Sequence, residues 1–263
     1  MPTGHDTPRN YGSPWLRDEL ILAFDLYCRI PFKKTKASNP EVISLAKLLD
    51  RSPAAVARKL GNFGSFDPEL QKQQVTGLLH ASKLDAEVWD EFNSDWNRLI
   101  LEARRLREQF IASHLRDAEA TDFVGMPSGP SEREGARKIR IYQAFFRQAV
   151  LSSYDETCCI TGLTIKDVLV ASHIIPWSVA EAFRADPRNG LCLSATFDRL
   201  FDRGLLTISS DFRVVVAESV RSIRARPVAN LVSSYHDCPV RRPHRFFPDE
   251  ERLQWHRDHI FRD

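Results

Sequence analysis

The stretch Cys158–Ser209, CCITGLTIKDVLVASHIIPWSVAEAFRADPRNGLCLSATFDRLFDRGLLTIS, decides how the chain is read. Its apolar run Val168-Leu169-Val170-Ala171 reads as a strand that delivers His173 to its end. Asn189-Gly190 is a strong turn signal. Leu191–Phe201 then reads as a short helix carrying Asp198 and Asp202, stopped by Gly204. A histidine on a strand end, an asparagine in the connection and a carboxylate on the next helix suit metal-dependent cleavage of a phosphodiester. A neutral imidazole, with an ordinary pKa of about 6.5, can take a proton from water. A carboxylate can hold a hard cation such as Mg²⁺ or Mn²⁺ against a phosphate. Asp202 lies one helical turn beyond Asp198 and on the same face, where it could share the cation or pair with Arg199 or Arg203. Those two arginines could instead stabilise charge on the phosphate.

The motif order C-x-x-T-G, S-H-I-I-P-W, N-G-L and D-x-x-F-D, at Cys158–Gly162, Ser172–Trp177, Asn189–Leu191 and Asp198–Asp202, resembles the HNH endonuclease family, in its bacterial restriction-type branch. The resemblance implies a ββα-metal fold and hydrolysis of DNA. His173 takes the place of the family's general base, Asn189 that of the residue bracing the histidine loop, and Asp198 that of the metal ligand. One departure stands out. Many HNH enzymes carry a second ligand just before the base, and here that position is Ser172, whose hydroxyl is a poor ligand. Coordination is then expected to rest on Asp198, phosphate oxygens and water, with Asp202 assisting. Many relatives also hold zinc on two C-x-x-C pairs. Cys158 and Cys192 lack second members, so structural zinc is not expected.

A chain of 263 residues with 43% apolar content suggests one large or two modest domains with a real core. Net charge is only +2, so no global field calls for a polyanionic partner, and local basic clusters matter more. The five cysteines are odd in number and scattered, which fits reduced thiols better than a disulfide framework. No apolar run approaches the roughly 18 residues of a membrane span, and the expectation is a soluble cytoplasmic protein.

Ahead of the motif region the text is helical. Trp15–Tyr27 places Leu16, Leu20, Ala23, Phe24 and Tyr27 on one face. Asn39-Pro40 and Ser52-Pro53 are cap-and-first-turn pairs, so residues 40–61 read as a helix-turn-helix-like unit with Arg58 and Lys59 as candidate DNA contacts. A plain helical hairpin has the same pattern. From Asp85 a single long helix is expected, with Trp89 and Trp96 in its core stripe. Residues 121–135 carry linker composition, which divides a helical module at 1–120 from a nuclease domain at 136–263. The helix Ala136–Tyr154 buries Ile139, Tyr142, Phe146 and Val150 and offers Arg137, Arg140, Gln143 and Arg147 as one polar stripe suited to backbone phosphates.

The whole reads as α+β, a metal-dependent DNA endonuclease of restriction or defence type. One such site cuts one strand, so a double-strand cut implies a homodimer or sequential nicks. The rival is a DNA-binding protein that does not cleave, built on a degenerate HNH scaffold, and Ser172 favours it. Near the C-terminus, strands are expected at 205–208 and 214–217. A final helix over 250–261 should bury Leu253, Trp255 and Ile260, leaving His256 and His259, three apart, as an ordinary surface pair rather than the metal pair their spacing would also allow.

Overall fold

The computed structural model describes residues 8–73, 81–118 and 131–263, side chains at 116–118 and 131–136 excepted. The chain is α+β, with long helices and two small antiparallel sheets. It divides into two compact units, Met1–Tyr142 and Gln143–Asp263. Of the expected linker, residues 121–130 lie outside the described residues, and from Ser131 the backbone is already helical.

The first unit comprises α1 (Arg17–Arg29), α2 (Pro40–Leu48), α3 (Pro53–Gly64), α4 (Pro68–Lys72), α5 (Lys83–Phe92), α6 (Trp96–Ala118) and the start of α7 (Ser131–Ser153). Its central helix is α1, buried on every side from Glu19 to Cys28 rather than along one face, because α3, α5 and α6 all pack on it. Phe24 gathers the aromatic core, with ring centroids 5.1 Å from Phe63 and 5.4 Å from Trp89. The expected caps form: Asn39 accepts from the Glu41 amide at 2.8 Å and Ser52 from the Ala55 amide at 3.2 Å. The expected single helix from Asp85 is two helices. Ser82 and Asp85 form a reciprocal capping box on α5, and Asp95 accepts from the Arg98 amide at 3.0 Å to restart the chain as α6.

In the second unit, β1 (Leu169–His173) pairs antiparallel with β2 (Gly190–Ser194), and α8 (Ala195–Asp202) follows at once. The expected helix over Leu191–Phe201 is therefore corrected. Leu191, Cys192 and Leu193 are buried on both faces of the hairpin, and such a short, wholly apolar run has no period that distinguishes strand from helix. β3 (Leu206–Ile208) and β4 (Val214–Val216) form a second ladder close to where it was expected. Two short helices, α9 (Glu218–Arg221) and α10 (Arg226–Leu231), precede α11 (Glu250–His259), which Asp249 caps.

Two glycines set close approaches. A Cβ on Gly190 would lie 2.4 Å from Val150 Cγ2 and 2.8 Å from Phe146 Cζ, so only glycine lets α7 press onto the hairpin. Gly204, at φ +68°, ends α8, and a Cβ there would meet the Ile260 carbonyl oxygen at 1.9 Å.

Candidate active site

His173 ends β1 directly opposite Gly190. Its ring stacks on Phe146 with centroids 3.7 Å apart and meets Trp177 edge-on at 5.7 Å. Its Nε2 lies 3.0 Å from the Arg184 carbonyl oxygen. A carbonyl offers only lone pairs, so Nε2 carries the hydrogen and donates, and Nδ1 is left as the acceptor. Burial lowers the imidazole pKa, opposed by the Arg184 carbonyl, so the ring is neutral near pH 7.

Asn189 is 1% exposed and bridges the loop that starts at His173. Its Oδ1 accepts from the Ile175 amide at 2.9 Å and its Nδ2 donates to the Ile175 carbonyl at 3.0 Å. The Ile174 amide donates to the Asn189 carbonyl at 2.9 Å. Three hydrogen bonds thus tie the two residues after the histidine to the residue before β2.

Asp198 and Asp202 lie one turn apart on α8, Asp198 half-buried and Asp202 exposed, and both carboxyl pKa values are raised. Burial is the leading cause for each. The neighbouring Asp198 charge adds to the shift at Asp202, while Arg199 opposes both shifts and Arg203 opposes that at Asp202. The Ser172 hydroxyl is buried beside Asp198 and lowers its pKa, though it lies outside tight hydrogen-bond geometry and has no other partner. The departure at Ser172 thus faces the metal-ligand candidate across the β1–α8 contact. Two neighbouring carboxylates that repel one another bind a cation more readily than isolated ones. Among the described residues no three His, Cys, Asp or Glu side chains converge. Mg²⁺ commonly takes one or two carboxylates and completes its shell with water and phosphate, so this pair fits such an ion.

The basic candidates divide. Arg58, Arg137, Arg140, Gln143, Arg199 and Arg203 are exposed. Lys59 is corrected: it is 8% exposed and its ammonium contacts both Asp85 carboxylate oxygens, at 2.9 and 3.0 Å. The reason is helical phase, since Val56, Lys59, Leu60 and Phe63 share the inward face of α3. Arg147 is exposed as well, and its Nη1 donates to the Leu169 carbonyl at 2.8 Å, bracing the start of β1. Ile139 is exposed, not buried, whereas Tyr142, Phe146 and Val150 are buried as expected.

His256 is corrected from surface to core. It is 1% exposed, stacks on Phe201 at 3.7 Å, and places Nδ1 2.9 Å from Thr207 Oγ1 and Nε2 3.1 Å from the Phe201 carbonyl. Cys158, Cys159 and Cys192 lie in the apolar cluster, where burial pushes the Cys192 thiol up to about 12. Sequence reasoning also missed Phe146 as the ring under His173, Arg184 as the carbonyl holding it, and the pair Asp186–Arg252 behind them. The rotation of α7 and a link between α11 and the histidine loop left no local signal.

No described helix is long and apolar enough to cross a membrane. A comparison with curated proteins gives no match. Residues 158–209 match a family model described as HNH endonuclease, and that interval spans β1, the histidine loop, β2, α8 and β3. With its histidine, asparagine and aspartates on one strand–strand–helix unit, the C-terminal unit carries a segment of the HNH endonuclease family.

Proposed function

We propose that the chain is a metal-dependent endonuclease that hydrolyses phosphodiester bonds in double-stranded DNA, in a restriction or defence setting. The observation that carries the reading is the state of His173. Its Nε2–H is committed to the Arg184 carbonyl at 3.0 Å and its ring is clamped on Phe146, so the free Nδ1 lone pair is a fixed proton acceptor.

In this reading His173 removes the proton from the attacking water, and its lowered pKa keeps it in the accepting form at neutral pH. Asn189 holds the backbone on which the imidazole stands. Asp198, with Asp202, would hold Mg²⁺ or Mn²⁺. A bound divalent cation would neutralise charge on the phosphate and on the leaving 3′ oxygen. Arg199 and Arg203 lie on the exposed side of α8, where they can meet the same phosphate. Arg137, Arg140 and Gln143 would take flanking phosphates, and Arg58 is the candidate contact of the α2–α3 pair. Two copies would serve the two strands of a duplex.

Incubation of supercoiled plasmid with Mg²⁺ or Mn²⁺ tests the proposal. Nicking by the parent and its loss in His173→Ala is the expected result. DNA binding without nicking in either metal would instead support the non-cleaving alternative.

A further inference from the structure

Beyond the residues that face the substrate, the loop Ile174–Asn189 has to present one carbonyl, that of Arg184, to the imidazole. Much of this loop is exposed: Val179 and Phe183 are among its open apolar side chains. An exposed loop of this length does not hold a carbonyl within hydrogen-bond distance unless something grips it. The loop holds itself in part, through Arg184 Nε on the Trp177 carbonyl and Arg188 on Asp186, and α11 supplies the grip from outside it. The Arg252 guanidinium lies 4.2 Å above the Phe183 ring and donates from Nη2 to Asp186 Oδ2 at 2.8 Å. These two contacts fall on the residues that bracket Arg184-Ala185, one on each side. Both partners of the ion pair are buried, with side chains 9% and 4% exposed. Asp186 then passes the constraint forward. Its carboxylate accepts from the Arg188 amide at 2.9 Å and its carbonyl accepts from the Asn189 amide at 2.9 Å, which sets the turn that aims Asn189. The Asp249 amide, at the start of α11, donates to the Arg188 carbonyl at 3.1 Å.

We infer that Arg252 is a positioning residue: by clasping Phe183 and Asp186 it fixes the Arg184 carbonyl, and through it the tautomer and orientation of His173. The inference rests on the proposed role of His173 as base, yet its geometric content stands apart from catalysis. A planar guanidinium can lie flat on a ring while its edge donates to a carboxylate, a shape that a compact ammonium does not reproduce. Loss of an outer group that orients a reactive one typically costs about 10–100-fold, and a displacement of about 1 Å can cost about 100-fold.

The test combines two readouts on the full chain. The ¹⁵N signals of His173, assigned by their absence in His173→Ala, report the tautomer, and plasmid nicking in Mg²⁺ reports kcat and KM separately. The parent is expected to show one tautomer, with the hydrogen on Nε2. In Arg252→Met that signal should become a mixture of tautomers, with kcat down about 10–100-fold and KM changed by less than about threefold. Arg252→Lys should recover only part of the loss. Should Arg252→Met not fold, Phe183→Ala removes half of the clasp from an exposed site and is read in the same way. An unchanged tautomer in a folded variant overturns the inference, whether or not nicking falls. If the parent does not nick at all, the nuclease proposal fails while the tautomer comparison still decides this one.

Discussion

His256 offers the most quantitative test of how the C-terminal helix supports the site. In the native protein burial pushes its pKa down to about 4, with the Arg257 charge adding and the Phe201 carbonyl opposing. In the unfolded chain it titrates near 6.5. Between these values the unfolded chain binds a proton that the native chain refuses, so stability falls as pH falls through this window and is fully present above it. The whole window is worth roughly 3 kcal/mol, at 1.36 kcal/mol per pKa unit, and the interval from pH 7 to pH 5 about 2 kcal/mol. Replacing His256 by Gln removes the titration while leaving a polar group between Thr207 and the Phe201 carbonyl. Hydrogen exchange in peptides covering α8 and α11 measures the opening free energy of this unit separately from the N-terminal helices. From pH 7 to pH 5 the parent should lose about 2 kcal/mol more protection than His256→Gln. His173, whose pKa is lowered in the same direction, contributes equally to both proteins and cancels. Parallel protection curves would refute the assignment of His256 as a neutral core residue holding the last turn of α8.

The remaining predictions concern the site and its supports. Asp198→Asn should abolish nicking and lower Mg²⁺ affinity measured by calorimetry, while the fold read by circular dichroism is unchanged. Because His173 must be neutral to act, nicking should rise with pH through its lowered pKa and then level off, and a rate that falls over that range would contradict its role as base. Asn189→Ala leaves the buried Ile175 amide and carbonyl unpaired and should cost about 1–3 kcal/mol per group in urea unfolding, with activity lost well below that denaturation. Lys59→Met strands the buried Asp85 carboxylate and should destabilise the first unit by about 3–5 kcal/mol, whereas a groove-contacting lysine would cost almost nothing in the absence of DNA. Gly190→Ala should cost about 1–3 kcal/mol from overpacking against Val150 and Phe146, and it should displace the ring under His173.

How much of this was legible in the chain depends on the range of the interaction. Caps at Asn39 and Ser52, the stop at Gly204 and the apolar run into His173 are set by neighbours within four or five residues, and each was readable. The β2 strand was not, because five buried residues in a row carry no period. Lys59 and His256 were misplaced for one shared reason: residue type alone says "surface", and only a partner elsewhere makes burial tolerable. That partner is Asp85 for the lysine, and Thr207 with the Phe201 carbonyl for the histidine.

By itself, then, the sequence determined which chemistry is available: one histidine after an apolar strand, an asparagine before a glycine, and two aspartates a turn apart on a helix. Those are statements about residue identity and short spacing, which a linear text records completely. Tertiary structure alone decided which nitrogen of His173 is free, that Ser172 faces Asp198, and that Arg252 reaches Asp186 across 66 residues of chain. The physical reason is that tautomer, desolvation and buried pairing are set by distances between atoms from different elements, and those distances exist only once the helices and the hairpin have packed.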